Sequence, residues 1–376
     1  MDLERYVGEI LKEIEEEGMK ALKRYSKRFD RYEGELRVKK SEFSGLEKKN
    51  KKVIDDIIDR VKRVHEKQIE ESDIYPIEDS LFGLVERPIE RIGVYVPGGK
   101  PLPSTLIMVG VPAVLAEVEE IVVTTPPVEG SIDPRMLYIA EKLGIDEVYK
   151  IGGAQAIGAM AYGVGMEKVD KIFGPGNKYV NEAKRQVYGQ VGIDSLAGPS
   201  EIAIVADENA DEDHVKADIL AQLEHDDEAK AWLLTTSSDL AESVEGEKVD
   251  VEVLEDLSRC VEEVNEISPE HLEILTENPR DLLRYVKNAG AVYLGEFTPV
   301  AAGDYFLGVN HVLPTGRAPR FESVLTVDDF VKKISVAEAG RMDYKRNKEL
   351  GIKLSRMEDM ECHKRSIEAR KNAEEN

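Results

Sequence analysis

The chain has 376 residues, of which 51 are basic and 75 acidic, for a formal net charge of −24. This length predicts two substantial domains with smaller appendages, and the negative charge argues against nucleic acid as a partner, since a phosphate backbone attracts basic surfaces. No apolar run approaches the roughly 20 residues of a membrane span and the chain begins without a signal-peptide core, so we expect a cytoplasmic protein with no membrane partner.

The N-terminal part of the chain has a helical pattern. In "LERYVGEILKEIEEEGMKALKRY" and in "VIDDIIDRVKRVHEKQIEES", apolar residues recur every three or four positions, as on one face of an amphipathic helix. We therefore predict that residues 1–90 form a helical segment that packs on the first of the following domains.

From Arg91 onward, short apolar runs bounded by Gly and Pro alternate with helical stretches. Examples of the runs are "RIGVYVPGG", "EEIVVTTPP", "SEIAIVAD" and "KAWLLTTS". Such alternation indicates α/β architecture with largely parallel sheets, and the number of runs favours two α/β sheet domains within residues 91–325. Residues 326–376 are predicted to form a small C-terminal helical domain. In folds of this kind, ligands bind at the carboxyl ends of the strands.

Glycine-rich turns stand at several predicted strand ends. "VPGGKPLPST", "GGAQAIGAMAYG" and "GPGNKYVNEAKRQ" each end a strand and open a helix, where backbone N–H groups can bind an anion. A complete G-x-G-x-x-G fingerprint is missing, because Tyr179 stands where the third glycine belongs. Ordinary turn chemistry explains the glycines equally well. Lys178, Lys184 and Arg185 either add positive charge here or are simply solvated on their helix.

A set of histidines and acidic residues suggests a metal site. Gln222 and His225 in "AQLEHD" lie one helical turn apart, although alone such a pair indicates only a solvated surface. Together with Asp304 and His363, they would offer two imidazoles and two oxygen donors, a set that suits Zn²⁺. Cys362 is excluded as a further ligand, because adjacent residues of a helix point about 100° apart.

Several of these blocks, taken together, resemble the histidinol dehydrogenase family. The resemblance runs from about Arg91 to His363, and "AGPSE", "PEHLEI" and "NHVLPT" are specific in combination. It implies a fold with two incomplete Rossmann-like domains and a zinc-dependent enzyme that oxidises L-histidinol through L-histidinaldehyde to L-histidine with two NAD⁺. It also implies a homodimer with shared active sites, in which the C-terminal segment reaches into the partner subunit.

The resemblance assigns roles to individual residues. The implied zinc ligands, which also contact substrate, are Gln222, His225, Asp304 and His363. The implied acid–base pair is Glu270 and His271, and His271 contacts substrate as well. Further substrate contacts are implied for Ser200, His311 and Glu358. The implied NAD contacts are Tyr95, Gln155 and Asn177.

The acid–base pair also has a chemical rationale of its own. Alcohol oxidation needs a base for the hydroxyl proton, and an imidazole such as His271 titrates near neutral pH. The second oxidation needs water to add to the aldehyde, and a carboxylate such as Glu270 can orient and deprotonate that water. In this family, zinc positions the substrate nitrogens and does not activate water.

Two alternatives remain at this stage. A related enzyme could oxidise another small diol or amino alcohol, such as a sulfonated propanediol, but Glu358 and His311 favour a substrate that carries an ammonium group. A catalytically silent sensor of zinc and dinucleotide would have no need of the adjacent Glu270 and His271. The link between "LLTTSSDL" and "EEVNEISPEHL" is shorter than usual in the family, which affects the domain edges and leaves the motifs intact.

Overall fold

The computed structural model describes residues 2–43, 45–70, 72–98, 102–224, 227–244 and 248–370. The chain divides into two compact units. The larger unit comprises Met1–Ile69 and Ile89–Phe330, and the smaller comprises Glu70–Pro88 and Val331–Asn376. Within the residues described, no helix is both long enough and apolar enough to cross a membrane.

The strands and helices follow each other in chain order. The strands are β1 (Asp73–Ile77), β2 (Ser80–Pro88), β3 (Arg91–Tyr95), β4 (Glu120–Thr125), β5 (Glu147–Lys150), β6 (Lys171–Phe173), β7 (Gly192–Ile193), β8 (Glu201–Ala206), β9 (Lys230–Thr235), β10 (Asp250–Val253), β11 (His271–Leu275), β12 (Ala291–Leu294) and β13 (Val331–Glu338). The helices are α1 (Leu3–Glu17), α2 (Met19–Tyr25), α3 (Lys48–His65), α4 (Pro103–Leu115), α5 (Pro134–Lys142), α6 (Gly153–Tyr162), α7 (Lys178–Val187), α8 (Glu212–Leu223), α9 (Ser238–Ser243), α10 (Leu257–Ile267), α11 (Pro279–Leu283), α12 (Val300–Ala302), α13 (Arg341–Met357) and α14 (Glu361–Glu368).

Two parallel five-stranded sheets form the centre of the larger unit. The first has the order β5-β4-β3-β6-β7 and the second the order β10-β9-β8-β11-β12. In each sheet the strand that comes first in the chain (β3 or β8) lies in the middle. The next two strands are added on one side of it, and the last two on the other side. Each order reverses once, as in doubly wound folds. The predicted α/β class with two parallel sheet domains is therefore confirmed.

The central strands β3, β8 and β11 are buried along their whole length because helices cover both faces of each sheet. All six residues of β8 are buried. Ile202 and Ile204 pack in a cluster with Val215 of α8, whereas Ala203, between them, packs on the other face with Val261 of α10. This alternation buries both faces, and it explains why these strands appear in the sequence as continuous apolar runs.

The N-terminal helices cover one side of the first sheet domain. The apolar stripe of α1 includes Val7, Leu11 and Ile14, and it joins one buried cluster with Ile157 of α6. Gly158 permits the close approach of the two helices, since a Cβ there would lie 3.1 Å from side-chain atoms of both Leu11 and Ile14. The helical pattern that the sequence shows in this region thus corresponds to real packing helices.

Residues 73–88 differ from the predicted N-terminal helical segment. They form β1 and β2, which pair antiparallel with each other and then with β13 in a three-stranded sheet. The register of the second pair runs from Pro88 opposite Val331 to Leu81 opposite Glu338. Because this partner strand lies more than 240 residues along the chain, no local pattern indicates the pairing. The small unit consequently contains a sheet as well as the predicted C-terminal helices.

A hairpin turn caps the long helix of the small unit. The Asp79 carboxylate, in the turn between β1 and β2, accepts hydrogen bonds from the backbone N–H groups of Met342 (2.8 Å) and Asp343 (3.0 Å) in the first turn of α13. Ser80 Oγ accepts from Gly340 N–H (2.9 Å) and donates to the Asp343 carboxylate (2.6 Å). These bonds satisfy donors that a helix start leaves open and connect the sheet to the helix.

A buried histidine links two helices of the larger unit to a segment that contributes to the candidate site. His65, fully buried at the end of α3, donates from Nδ1 to the Val61 carbonyl (2.9 Å), so its neutral ring presents Nε2 as an acceptor. Asn310 donates from Nδ2 to this nitrogen (3.2 Å) and to the Met108 carbonyl of α4 (2.7 Å). Burial lowers the pKa of His65 in the folded protein.

We expect this histidine to make the folded state sensitive to acid. The unfolded chain takes up a proton at His65 near pH 6.5, about the ordinary value, whereas the folded chain resists it. The stabilising contribution is therefore complete above about pH 6.5 and is lost as the pH falls below that value. Urea denaturation of wild type and His65→Gln between about pH 5 and pH 8 measures the effect. His65→Gln should lose part of the pH dependence, while His214→Gln, at an exposed helix position, should keep it. An unchanged pH dependence in His65→Gln would contradict the assignment.

Candidate active site

A cavity of about 390 Å³ lies between the two parallel sheets of the larger unit. Its walls come from the loops after β3 and β6, from the residues that lead into β8 and β11, and from residues 304–315. Six residues predicted from the sequence line this cavity: Asn177, Ser200, Glu270, His271, Asp304 and His311.

The two sheets face this cavity with opposite edges. The first sheet presents its carboxyl edge, as expected, through Pro97 after β3 and Asn177 after β6. The second presents its amino edge, since Ser200 directly precedes β8 and Glu270 directly precedes β11. The predicted site residues of the second sheet therefore lie at its amino edge, whereas we expected ligands at carboxyl edges. Glu270 and His271, the predicted acid–base pair, lie at this amino edge, where β11 begins. There β11 pairs with β8, and His271 lies opposite Ile202.

The His271 ring is oriented by a backbone carbonyl. Its Nδ1 lies 3.0 Å from the carbonyl oxygen of Glu201, and since a carbonyl can only accept, Nδ1 carries the proton. The lone pair of the neutral ring is therefore on Nε2. The ring is buried and stacks on Tyr293 of β12, with the ring centroids 6.1 Å apart. The sequence predicted His271 as a base, and the tautomer follows from the structure.

Glu270 is oriented by the same backbone. Its Oε2 accepts a hydrogen bond from Glu201 N–H (3.0 Å) and lies 3.4 Å from His271 Nδ1. The side chain is largely buried yet lines the cavity. The N–H group of Glu201 thus orients Glu270, and the carbonyl group of the same residue orients His271.

Sequence analysis missed Glu201 as a contributor to the site. Its own carboxylate is buried, which raises its pKa, and its Oε2 accepts from Gly316 N–H (3.1 Å). The available signal was a charged residue at the first position of the apolar strand "EIAIVA", directly after Ser200.

Asp304 lines two adjoining cavities. In the first, its Oδ1 lies 3.3 Å from Nδ1 of His311. In the second, of about 520 Å³, it lies along the wall with Asp218 and the buried Gln222 of α8. Of the four predicted zinc ligands, Gln222 and Asp304 therefore share a cavity wall within the described residues.

Two neighbouring carboxyl groups, those of the buried Glu273 and the half-buried Asp218, lie beside the second cavity. Glu273 of β11 is fully buried and accepts from Val300 N–H (2.6 Å), directly ahead of the segment that carries Asp304. Burial, and then the charge of the hydrogen-bonded Asp218, raise the pKa of Glu273 well above its ordinary value. Burial and a neighbouring negative charge both disfavour the ionised form of a carboxyl group. The sequence indicated no role for either residue.

Two of the predicted NAD residues lie in a cluster away from the first cavity. Tyr95 and Gln155 are buried at the amino end of α6. The Tyr95 hydroxyl accepts from Gly153 N–H (3.2 Å), and burial raises the pKa of Tyr95 to about 12. Asp30 accepts from Gly152 N–H (3.2 Å) and from Gln155 Nε2 (3.1 Å). The turn before α6 was one of those whose N–H groups were predicted to bind an anion, and the Asp30 carboxylate of the protein itself accepts from it.

The third predicted NAD residue, Asn177, lies at the first cavity. Its Oδ1 accepts from the N–H groups of Tyr179 (3.0 Å) and Val180 (3.2 Å), and so caps α7. We expected the basic residues of α7 either to add positive charge at the loop or to be solvated, and two of them differ from each other. Arg185 is exposed and pairs with Glu182, whereas Lys184 is fully buried.

The remaining predicted site residues lie elsewhere or outside the description. His225 falls outside the residues that the structure describes. Glu358 and His363 belong to the small unit, where both are exposed: Glu358 follows the last residue of α13, and His363 lies on α14.

Comparisons with known proteins agree with the motif resemblance. A model of the histidinol dehydrogenase family matches residues 1–371. The chain is 57% identical to histidinol dehydrogenase of Thermococcus kodakarensis, over 98% of this chain and 99% of that protein, and 43% identical to that of Thermotoga maritima, over 98% and 94%. The crystal structure of histidinol dehydrogenase from Elizabethkingia anophelis matches with a TM-score of 0.94 and 35% identity, covering 98% of this chain and 92% of that one. The chain therefore belongs to the histidinol dehydrogenase family of oxidoreductases, which oxidise histidinol in histidine biosynthesis.

Proposed function

We propose that this protein is a zinc-dependent, NAD-linked enzyme that oxidises L-histidinol through L-histidinaldehyde to L-histidine. The observation that carries the proposal is the pairing of Glu270 and His271 at the cavity wall, both oriented by the backbone of Glu201. When bound, zinc would hold the imidazole and amino nitrogens of the substrate, and two NAD⁺ would in turn each accept one hydride.

In the first oxidation, His271 acts as the base. Its Nε2 takes the proton of the substrate hydroxyl as a hydride leaves the carbinol carbon, which leaves the aldehyde. The Nδ1 hydrogen bond to the Glu201 carbonyl, at 3.0 Å, stabilises the imidazolium that forms. Fixing Nδ1 in this bond also directs Nε2 toward the substrate.

In the second oxidation, Glu270 acts on water. The carboxylate takes a proton as the water oxygen bonds to the aldehyde carbon, and the His271 imidazolium returns its proton to the aldehyde oxygen, which gives the hydrate and a neutral His271. A second hydride then leaves the same carbon, one hydrate hydroxyl loses its proton to His271, and the carboxylic acid product ionises. Glu270 keeps its orientation because Glu201 N–H holds one of its oxygens.

The donor set of the second cavity fits zinc. Gln222 offers a carbonyl oxygen and Asp304 a carboxylate on one wall, and His225 and His363 would add two imidazole nitrogens. The adjacent Glu273 has a raised pKa, because it is buried and lies near the charge of Asp218.

The dinucleotide would bind at the first sheet. Its strand order reverses between β3 and β6, and the loops that follow these strands line the first cavity. Doubly wound sheets bind dinucleotides at such a reversal. We assign this contact to Asn177, Tyr95 and Gln155, of which Tyr95 and Gln155 form the buried base of the loops. The protein would be cytoplasmic, and its two free thiols, Cys260 and Cys362, are consistent with a reducing compartment.

The first test is NADH formation from L-histidinol by zinc-loaded protein. We expect two NADH for each L-histidine formed, loss of activity when zinc is chelated, and its return when zinc is added back, with the circular dichroism spectrum unchanged throughout. Because the proposed ligands stand on a preformed scaffold, metal removal should spare the fold. Full activity in protein shown to be metal-free by elemental analysis would refute the zinc assignment. Turnover of another diol or amino alcohol in place of L-histidinol would identify a related enzyme.

Glu270→Gln should separate the two oxidations. The carboxamide still accepts from Glu201 N–H but cannot take a proton from water. We expect oxidation of L-histidinaldehyde to slow by about 10²- to 10⁴-fold, the usual value of general acid–base catalysis, and oxidation of L-histidinol to slow far less. Stopped-flow measurement of each half-reaction checks this, with Glu266→Gln, at an exposed position, as the matched control. Equal losses in both half-reactions would assign Glu270 another task.

The proposal includes a homodimer in which His363 and Glu358 of one chain complete the partner's site. The support is that both side chains are exposed in the small unit and carry the chemistry that the donor set still needs.

Refolding His271→Ala chains together with His363→Ala chains tests this sharing. If sites are shared, each mixed dimer has one site that lacks both histidines and one intact site, so activity should return. If each site is built within one chain, every site lacks one histidine and the mixture stays inactive. Mass spectrometry should confirm that mixed dimers have formed, and inactivity in their presence would rule out sharing.

A further inference from the structure

A buried ion pair lies behind the loop at the centre of the first sheet. Lys184 of α7 and Asp194, just after β7, pair with side chains that are 1% and 4% exposed. Buried ion pairs contribute little net stability, because desolvation offsets most of the attraction. Such a pair therefore suggests a role in fixing geometry.

Both members of the pair bind the same peptide segment. Lys184 Nζ donates to the Gly174 carbonyl (3.1 Å), and Asp194 Oδ2 accepts from Gly174 N–H (2.7 Å). Gly174 has φ +112°, and a Cβ there would lie 2.0 Å from the Tyr95 carbonyl oxygen at the end of β3. The glycine thus packs its backbone directly against the strand beside the point where the strand order reverses, and the ion pair binds both of its polar groups.

The same pair connects two segments that line the cavity. Pro175, Gly176 and Asn177 continue from Gly174, and Asp194 is followed by Ser195; all five residues line the cavity. Asp194 Oδ1 also accepts from Ser195 N–H (2.7 Å). A change in the Lys184–Asp194 contact would therefore move both segments.

We propose that Lys184 and Asp194 are positioning residues for the dinucleotide: they hold residues 174–177 in the orientation that receives the cofactor. This inference rests on the proposed function, because it assumes that NAD binds at the first sheet. It excludes a direct role of the Lys184 ammonium at a phosphate, since this group is enclosed by Asp194 and Gly174.

The test separates positioning from stability. Lys184→Met and Asp194→Asn each leave one buried charge without its partner, so both should lower the melting temperature and weaken NAD binding. The Lys184→Met/Asp194→Asn double variant removes both charges and should recover most of the melting temperature. It still lacks the bond to the Gly174 carbonyl, so its Kd for NAD should stay raised by about tenfold. Arg185→Gln, at the exposed neighbouring position, is the matched control and should bind NAD as wild type does.

Calorimetric titration of NAD into zinc-loaded protein gives the Kd. In the double variant, steady-state kinetics should show a raised KM for NAD with the KM for L-histidinol unchanged.

Recovery of both melting temperature and NAD affinity in the double variant would reduce the pair to a structural role and overturn the inference. If the double variant does not fold, Lys184→Arg decides, because a planar guanidinium keeps the charge but changes the bond to Gly174: weaker NAD binding at wild-type melting temperature supports positioning, and wild-type affinity refutes it. Wild-type protein that binds no NAD would refute the cofactor assignment itself, whereas equal binding by wild type and all variants would refute only the inference.

Discussion

The backbone of Glu201 binds both members of the proposed acid–base pair, through its N–H to Glu270 and through its carbonyl to His271. This arrangement exists only because β8 and β11 are parallel neighbours in one particular register. Sliding one strand by a single residue would turn each side chain to the opposite face of the sheet and separate these groups. The proposed chemistry therefore depends on strand pairing, which is held in turn by the apolar layers on both faces of the second sheet.

The two sheets share one strand order yet contribute opposite edges to the cavity. At its carboxyl edge, the first sheet offers loops that lead into helices, where backbone N–H groups accumulate and negative charge is stabilised. At its amino edge, the second sheet offers the side chains that precede β8 and β11. This division suits the proposed reaction between an anionic dinucleotide and a small substrate, because each reactant would meet a different kind of surface in one cavity.

Several ionisable groups around the site are buried against defined partners. Lys184 pairs with Asp194, Glu273 accepts from the N–H of Val300, and Glu201 accepts from the N–H of Gly316. A buried polar group must be paired or it destabilises the fold, so each group restricts the backbone to conformations that supply the partner. Around this cavity, burial of charge thus limits how far the walls can move.

The sequence by itself determined the elements whose causes are local. Continuous apolar runs such as "EIAIVA" and the turn residues around them identify buried parallel strands, and the stripe of Val7, Leu11 and Ile14 identifies a packing helix. The motif blocks also identified the family and six residues that the fold brings to one cavity.

Tertiary structure decided everything that depends on distant partners. Residues 73–88 became strands because β13 pairs with them, Lys184 became buried because Asp194 faces it, and the tautomer of His271 depends on a carbonyl 70 residues away. It also decided that the second sheet presents its amino edge, which the local pattern of a strand cannot indicate. The physical reason is the same in each case: the energy lies in contacts between segments that are far apart in the chain, and residue type and spacing carry no record of which segments meet.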